Sequence, residues 1–302
     1  MLTKVKVAVP ATTANCGPGF DAVGISCTLY NHLELELCPR ERLQIEVTGE
    51  GASLISTGDD NLAWRAAKML FQKVGFQYSG IRLTMHNRIP LARGLGSSAA
   101  AVVGALVAAN ALAGNKLDKE QLLALATDLE GHPDNVGAAL YGGVTVSALV
   151  DGAVKCLNFI PPSPLSLVAA IPDIPLSTQR ARQVLPSTVS RQDAVFNISR
   201  TALLIAALGQ GRWDYLPWAL EDRLHQPYRQ QLIPGMEAVF DAAKTAGALG
   251  VTISGAGTCL MAWAIEREAV IGQAMVTAFA RYGIQARYEV LNIDREGTKI
   301  IE

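Results

Sequence analysis

Two hydrophobic periods occur along the chain. Short runs in which every second residue is apolar are typical of β-strands, and longer segments with apolar residues three and four positions apart are typical of helices. The first pattern predicts strands at 5–9, 33–37, 45–47, 81–85, 143–150, 165–171 and 286–291 and a strand–turn–strand unit at 251–263. The second predicts helices that begin near Asn61 and Asp118 and helices at about 193–209, 235–246 and 266–282.

The segment Pro161–Pro164 is the best linker candidate, because three of its four residues are prolines. Strand and helix patterns lie on both sides of it. The sequence therefore predicts two α/β-type domains, covering residues 1–160 and 161–302. The apolar segment Ala99–Gly114 is built mainly of Ala, Val and Gly and is shorter than the about 20 residues of a membrane span, so it predicts a buried helix.

Composition and charge exclude several classes of protein. The 302 residues carry 26 Lys and Arg against 27 Asp and Glu, and 50% of them are hydrophobic. Disordered chains are poorer in hydrophobic residues, and nucleic-acid binders usually carry a basic excess. The five cysteines show no C-x-x-C spacing, which argues against a disulfide framework or a zinc ribbon. With no signal-peptide pattern either, we expect a cytoplasmic enzyme with no nucleic-acid or membrane partner.

Residues 17–22 fit the pattern G-x-G-x-x-A of dinucleotide-binding proteins. That function needs a helix directly after the glycines, and the segment Asp21–Leu29 is too short and too rich in β-branched residues for one. The sequence favours the alternative, a turn between two strands. Asn15 and Asp21 flank this turn and are placed to project polar groups from it.

A second glycine-rich loop, Pro90–Ser98, runs directly into the small-residue helix. Small residues let backbone N–H groups approach an anion, and a helix start carries unpaired N–H groups and about half a positive charge. The loop therefore predicts a phosphate site, where the hydroxyls of Ser97 and Ser98 could cap the helix or bind Mg²⁺. No Gly-Lys dipeptide occurs in the chain, so ATP would bind without a P-loop lysine.

Two further segments are candidates for the same site. Ser254–Thr258 is either an ordinary glycine-rich hairpin or a third wall of the cleft. Glu130–Asn135 closes one helix and could open another. Glu130 is a candidate magnesium ligand because hard cations prefer carboxylates and hydroxyls. A solvated Glu130 and a structural His132 are the alternatives.

In chain order, four segments resemble the motifs of the GHMP kinase superfamily: Pro10–Asp21, Pro90–Ala100, Glu130–Val136 and Ser254–Gly257. The first and third resemble the branch that phosphorylates homoserine, and the resemblance covers nearly the whole chain. It implies an α+β fold with an N-terminal domain like the second domain of ribosomal protein S5, a ferredoxin-like C-terminal domain, and the active site between them. The implied reaction transfers the γ-phosphate of ATP to the side-chain hydroxyl of L-homoserine, giving O-phospho-L-homoserine for threonine synthesis.

The resemblance also implies roles for individual residues. The ATP phosphates would be bound by Pro90, Leu91, Ala92, Arg93, Gly94, Leu95, Gly96, Ser97, Ser98, Ala99 and Ala100. The ligands of Mg²⁺ would be Ser98 and Glu130. Homoserine would be bound by Asn15, Asp21, His132, Arg182 and Arg229, with the arginines on its carboxylate and the aspartate on its ammonium group. Arg180 stays an alternative to Arg182, and the catalytic residues would be Asn15 and Asn135.

The chain departs from the superfamily pattern at three places. Position 12 is Thr where many members have Lys, and Asn135 stands where others have an Asp that could act as a base. Asn cannot take up a proton, so the implied mechanism has no dedicated side-chain base. Phosphoryl transfer permits this, because positioning and charge stabilisation supply most of the acceleration. Thr258 follows Gly257 where Pro is usual, so the third loop is given no specific contact.

Two other functions remain open at this point. One is another small-molecule kinase, such as a mevalonate-type enzyme, and the other is a nucleotide-binding protein without catalysis. Two arginines and Asp21 argue for an amino-acid substrate, since mevalonate has no ammonium group. The sequence does not reveal the oligomeric state, and a homodimer is as open as a monomer. It also does not reveal feedback by threonine or the preferred nucleotide base.

Overall fold

The computed structural model describes residues 2–39 and 42–302 and contains two β-sheets with helices packed against them. The first sheet contains β1 (Lys4–Ala14), β2 (Val23–Cys38), β3 (Leu43–Gly49), β4 (Gly80–Asn87), β5 (Val144–Val150) and β6 (Ala153–Phe159). The second contains β7 (Ser166–Pro172), β8 (Gly250–Ile253), β9 (Leu260–Ala264) and β10 (Ala286–Asn292). A short last strand, β11 (Lys299–Ile300), returns to the first sheet.

Four helices accompany the first sheet: α1 (Leu62–Val74), α2 (Ser97–Leu112), α3 (Lys119–Glu130) and α4 (Pro133–Tyr141). Six follow β7: α5 (Thr178–Gln183), α6 (Arg191–Gln210), α7 (Leu216–Ala219), α8 (Gln226–Arg229), α9 (Met236–Ala246) and α10 (Glu268–Ala280). The predicted helix starts at Asn61 and Asp118 are confirmed, because each side chain accepts a hydrogen bond from a first-turn N–H group. The short helices α5, α7 and α8 were not predicted.

Strand β2 organises the first sheet. It pairs antiparallel with β1 along most of its length, with β4 through its second half and with β5 through its first residues. β3 pairs with β4 in parallel. Because β1 and β2 are antiparallel neighbours, the glycine segment between them is a strand-to-strand turn, as the sequence favours, and it holds no dinucleotide-binding helix. Strand β1 extends to Ala14, past a register shift at Pro10/Ala11, so it is longer than the strand predicted at 5–9.

The small-residue helix α2 is buried on all sides, which confirms the prediction of a buried helix. Thirteen of its sixteen residues are buried, and it packs between β1 and α1. A Cβ atom added at Gly104 would lie 2.7 Å from Val9 Cγ2, so only a residue without a side chain allows this approach to the sheet. No helix in the described residues is long and apolar enough to cross a membrane.

The second sheet has the strand order β10-β7-β9-β8, and its neighbouring strands are antiparallel. With α9 before β8 and α10 before β10, the chain follows the strand–helix–strand–strand–helix–strand pattern of ferredoxin-like domains. Helices α5–α8 are inserted between β7 and α9. This insertion brings α5 and α8 to the side of the first sheet.

The residues after β10 return to the first sheet. Ile293 bridges Cys27, and β11 pairs with β1. The carboxylate of Asp294 accepts hydrogen bonds from the Tyr30 hydroxyl at 2.6 Å and from the N–H of Gly297 at 2.7 Å. The proline-rich segment 161–164 lies between β6 and β7. The division into residues 1–160 and 161–302 stays a prediction.

Candidate active site

A cleft of about 350 Å³ lies where loops of the two sheets meet. Its walls come from all four segments that the sequence singled out, at 15–21, 90–99, 130–135 and 255–257. Helices α5 and α8 add Arg182 and Arg229. The predicted residues Asn15, Asp21, Ser98, Glu130, His132, Asn135, Arg182 and Arg229 therefore share one cleft. The third glycine loop forms a wall of it rather than an isolated hairpin.

Two members of the predicted phosphate loop point elsewhere. The guanidinium of Arg93 donates to Asp173 Oδ1 at 2.9 Å and to the carbonyl of Pro172 at 2.9 Å. Ala100 is buried within α2 behind the loop. The side chain of Arg93 therefore ties the loop to β7 and does not add a charge to the cleft.

The start of α2 is held by close backbone contacts at two glycines. A Cβ atom at Gly96 would lie 1.9 Å from Thr12 Oγ1, and one at Gly94 would lie 2.1 Å from the carbonyl oxygen of Ser254. Gly96 is the N-cap residue, with φ of 70°, and no side chain in the described residues caps the helix. The first N–H groups of α2 therefore lie in the cleft wall without a capping oxygen, which suits a phosphate.

Neither of the two serines at this helix start caps the helix. Ser97 Oγ is directed at the carbonyl of Ile89, and Ser98 Oγ donates a hydrogen bond to Glu130 Oε1. Glu130 is the last residue of α3, and its burial raises the pKa of the carboxyl group above its ordinary range. The Gly131 C-cap turns the chain here, so α3 delivers its carboxylate to the first turn of α2.

Ser98 and Glu130 bring two hard oxygen atoms together, and this donor set fits Mg²⁺. Among residues 2–39 and 42–302, no group of three or more His, Cys, Asp or Glu side chains could hold a metal ion. Mg²⁺ typically binds through one or two protein oxygens and completes its shell with water and substrate phosphates. The arrangement therefore fits a nucleotide-bound Mg²⁺ and not a metal held by protein alone.

The turn after β1 has unusual backbone geometry. Asn15, Cys16 and Asp21 have φ of 68°, 46° and 55°, in the left-handed region that non-glycine residues rarely adopt. The Asn15 amide stabilises the turn, because its Oδ1 accepts from the Asp21 N–H at 2.9 Å and its Nδ2 donates to the carbonyl of Gly255 at 2.7 Å. Asn15 thus joins the first glycine loop to the third.

Asp21 forms a two-pronged ion pair with Arg182 across the cleft. The two nitrogen–oxygen distances are 2.7 and 2.9 Å, and this hydrogen bonding raises the pKa of the Arg182 guanidinium. Arg180, two residues earlier on the same short helix, is exposed to solvent. The geometry therefore places Arg182, and not Arg180, beside the predicted ammonium site.

Arg229 is 1% exposed and lies behind the same site. Its Nε donates to the carbonyl of Ala181 at 3.1 Å and its Nη1 to the carbonyl of Gly255 at 3.0 Å. Burial, with the charge of Arg182 nearby, lowers the pKa of Arg229 to about 10, so it is still a cation at neutral pH. The ring of Phe20 lies within 6 Å of both guanidinium carbons, at 5.3 and 5.6 Å.

The segment after α3 holds a chain of hydrogen bonds. Its central residue, Asp134, was not among the predicted site residues. Asp134 is buried, and its Oδ1 lies 2.7 Å from His132 Nδ1 and accepts from the Asn135 N–H at 2.8 Å. The Thr12 hydroxyl donates to Asn135 Oδ1 at 2.7 Å. The bond to Asp134 raises the pKa of His132. The sequence signal for Asp134 is its place between two predicted site residues.

The far end of the cleft is mostly apolar. Its walls there include Ile55, Leu62, Met85 and Leu91. The buried side chain of Asn87 also lies here, and its Oδ1 has no hydrogen-bond partner in the part of the chain that the structure describes. This end suits a flat, largely apolar group such as a nucleotide base.

Comparisons with known proteins identify the family of this chain. The GHMP kinases N terminal domain matches residues 61–143, and the GHMP kinases C terminal domain matches residues 204–279. Homoserine kinase from Carboxydothermus hydrogenoformans is 50% identical, over 93% of this chain and 92% of that protein. Homoserine kinase from Moorella thermoacetica is 48% identical, over 98% of this chain and 99% of that protein.

A solved structure shows the same architecture. The crystal structure of homoserine kinase from Cytophaga hutchinsonii has a TM-score of 0.92 and 30% sequence identity, and covers 100% of this chain and 98% of that chain. The chain belongs to the GHMP kinase superfamily, and the expected two-domain GHMP kinase fold is confirmed. Within that superfamily it belongs to the homoserine kinase family.

The contact between His132 and Asp134 predicts a pH-dependent contribution to stability. Because the folded state raises the pKa of His132 above its ordinary value, the pair stabilises fully below about pH 6.5 and loses this effect as pH rises through the folded pKa. We expect His132→Asn to lower the free energy of unfolding by about 1 kcal/mol at acid pH and by less at about pH 9. Urea unfolding of both proteins at several pH values measures this.

The exposed His86 provides the control. His86→Asn should lower the free energy of unfolding by less than His132→Asn, since the His86 side chain is exposed and its one hydrogen bond, with Thr48 Oγ1, lies at the surface. A loss on His132→Asn that is the same at every pH would contradict the assigned role of the charged pair.

Proposed function

We propose that this chain phosphorylates L-homoserine, transferring the γ-phosphate of ATP to its side-chain hydroxyl to give O-phospho-L-homoserine. The observation that carries this is the charge pattern of the cleft. Asp21 faces Arg182 and Arg229 near the uncapped start of α2, so one cleft offers sites for an ammonium group, a carboxylate and a phosphate. A small zwitterion fits the first two sites with its side chain directed towards the third.

The nucleotide is bound by backbone more than by side-chain charge. The N–H groups at the start of α2 and the loop 90–99 hold the phosphates, and the apolar end of the cleft accepts the base. Ser98 and Glu130 would hold Mg²⁺, which neutralises phosphate charge when bound. The chain needs no P-loop lysine for this arrangement.

The acceptor hydroxyl is positioned and is not deprotonated by a dedicated base. Asn135 cannot take up a proton, and its amide is held by Thr12. The buried Asp134 carboxylate is already engaged by His132 and by the Asn135 N–H. The hydroxyl proton therefore passes to the transferring phosphate, and Asn15, Asn135 and the two arginines hold the substrate in line.

The cytoplasm is the proposed compartment. All five cysteines are free thiols, which a reducing compartment preserves. Cys16, Cys27 and Cys259 are buried, and burial raises the pKa of each thiol.

A coupled assay of ADP release tests the proposed reaction. With ATP and Mg²⁺ present, homoserine should be turned over, and mevalonate and galactose should give rates near background, since neither carries an ammonium group for Asp21. Binding of ATP without turnover of homoserine would overturn the proposal. In that case the chain would be a nucleotide-binding protein of this fold.

The role of Arg182 at the carboxylate site can be tested with Arg180 as the control. Arg182→Gln removes charge-assisted hydrogen bonds, so KM for homoserine should rise about 10- to 100-fold with KM for ATP little changed. Arg180→Gln removes the same charge from an exposed position and should leave both constants unchanged. Steady-state kinetics with each substrate varied measures this, and an equal effect of the two variants would contradict the assignment.

The raised pKa of Glu130 predicts that the binding of Mg²⁺ depends on pH. Since burial raises the pKa of Glu130, the apparent affinity for Mg²⁺ should fall as pH is lowered towards that pKa, where the carboxyl group takes up a proton. Glu130→Gln should lower kcat about 100-fold or more and abolish this pH dependence. Glu120→Gln, at the exposed start of the same helix, is the control. Unchanged phosphorylation by Glu130→Gln would show that the magnesium assignment is wrong.

A further inference from the structure

His225 is a fully buried side chain with no role in the proposed phosphoryl transfer. Its exposure is 0%, and it lies directly before α8. Its Nε2 lies 2.7 Å from the carbonyl oxygen of Gly17, and its Nδ1 lies 3.3 Å from Nη1 of Arg229. The ring also stacks on Phe20 with centroids 5.2 Å apart. One imidazole thus touches the first glycine turn, the buried arginine and the aromatic ring beside both arginines.

These contacts fix the protonation state of the ring. A carbonyl oxygen only accepts, so Nε2 carries the proton, and a guanidinium only donates, so Nδ1 presents its lone pair. A second proton on Nδ1 would face the N–H group of a cation. The charged groups around the ring are Arg229, Asp21 and the carboxylate of Asp222, 3.6 Å from Nε2. Burial lowers the pKa of His225 and so favours the same neutral form.

The backbone at His225 is itself anchored. The buried carboxylate of Asp222 accepts from the N–H groups of Leu224, His225 and Gln226 at 2.9, 3.0 and 2.7 Å. It also accepts from Asn197 Nδ2 at 2.8 Å. Four hydrogen bonds to one carboxylate hold this segment in place, so the ring of His225 projects from a rigid base.

The two groups that His225 joins belong to opposite halves of the substrate site. Gly17 lies in the turn that carries Asn15 and Asp21, and Arg229 lies on α8. A Cβ atom at Gly17 would lie 2.4 Å from the carbonyl oxygen of Leu220, so the turn is also pressed against α7. With Nε and Nη1 of Arg229 occupied, its Nη2 has no partner in residues 2–39 and 42–302 and is left for a ligand.

We propose that His225 is a positioning residue that sets the spacing between the ammonium site at Asp21 and the carboxylate site at Arg229. This inference rests on the proposed function. The ring acts as a spacer, with one hydrogen bond to the turn and one from the arginine. It holds the turn and the arginine at a fixed separation, and it does not touch the reacting atoms.

Three substitutions separate the two hydrogen bonds. His225→Asn can place an accepting oxygen near the position of Nδ1, and so keeps the bond from Arg229 while losing the bond to Gly17. His225→Gln can place an N–H near the position of Nε2 and does the reverse. His225→Phe keeps only the stack on Phe20. Asn110→Ala is the matched control, because it removes a buried side chain with two hydrogen bonds at the opposite end of α2.

Steady-state kinetics and thermal unfolding of these variants test the proposed role of His225. KM for homoserine should rise about tenfold in each of the Asn and Gln variants and further in the Phe variant, with kcat and KM for ATP within about threefold of wild type. Asn110→Ala should lower the melting temperature and leave KM for homoserine unchanged. A Phe variant with wild-type KM for homoserine, or a parallel rise in both KM values, would overturn the inference.

A spectroscopic readout does not depend on turnover. The imidazole ¹⁵N resonances of His225 should show the neutral form with the proton on Nε2, and this pattern should persist as the pH is lowered through the range in which an exposed imidazole takes up a proton. A charged ring or the other tautomer would overturn the inference. Absence of homoserine turnover in the wild type would count against the proposed function, whereas an active wild type with unaffected His225 variants would count against the spacer alone.

Discussion

The close contact of the loop before α2 with strand β1 and with the third glycine loop is the constraint on which the site depends. The Thr12 N–H donates to the carbonyl of Leu95 at 3.1 Å, and Ser254 Oγ donates to the carbonyl of Gly94 at 2.7 Å. A side chain at Gly94 or Gly96 would break these contacts. They attach the helix start to the first sheet on one side and to the second sheet on the other. The phosphate end of the cleft is therefore fixed relative to the amino-acid end, which in-line transfer requires.

A hydrogen bond beside this contact accounts for two departures from the superfamily pattern. Thr12 and Asn135, which replace the common Lys and Asp, touch each other in the fold through a 2.7 Å hydrogen bond. A lysine at position 12 would place a cation at a fully buried position, and an aspartate at position 135 would place an anion opposite a neutral hydroxyl group. In the neutral pair, the hydroxyl group of Thr12 satisfies the amide oxygen of Asn135 without a charge on either side chain.

Much of the fold and the site could be predicted from the sequence, because its signals are local. The caps at Asn61 and Asp118, the strand alternation and the glycine loops each depend on a few neighbouring residues. Helices α5, α7 and α8 have no more than six residues, too few for a hydrophobic period to show. Strand β11 has two residues and depends on a partner almost three hundred positions away.

The site residues also divide into those that neighbouring residues make predictable and those that depend on distant parts of the chain. Asn15, Asp21 and Glu130 stand in motifs, so the sequence locates them. Arg93 stands in a motif as well, yet its side chain turns to Asp173, and nothing local to the loop encodes that direction. His225 lies outside all four motif segments. Its importance comes from Gly17 and Arg229 meeting in space, which only the tertiary fold brings about.

The return of β11 to β1 has a consequence for synthesis on the ribosome. β1 leaves the ribosome long before β11, so one edge of the nascent sheet stays open while the whole second sheet is made. Open strand edges invite pairing with other chains, and charged residues on an edge strand discourage it. Lys4 and Lys6 lie on β1, and Lys4 pairs with Glu34 of β2 at 3.1 Å. These charges protect an edge that β11 covers only after the strands of the second sheet have been made.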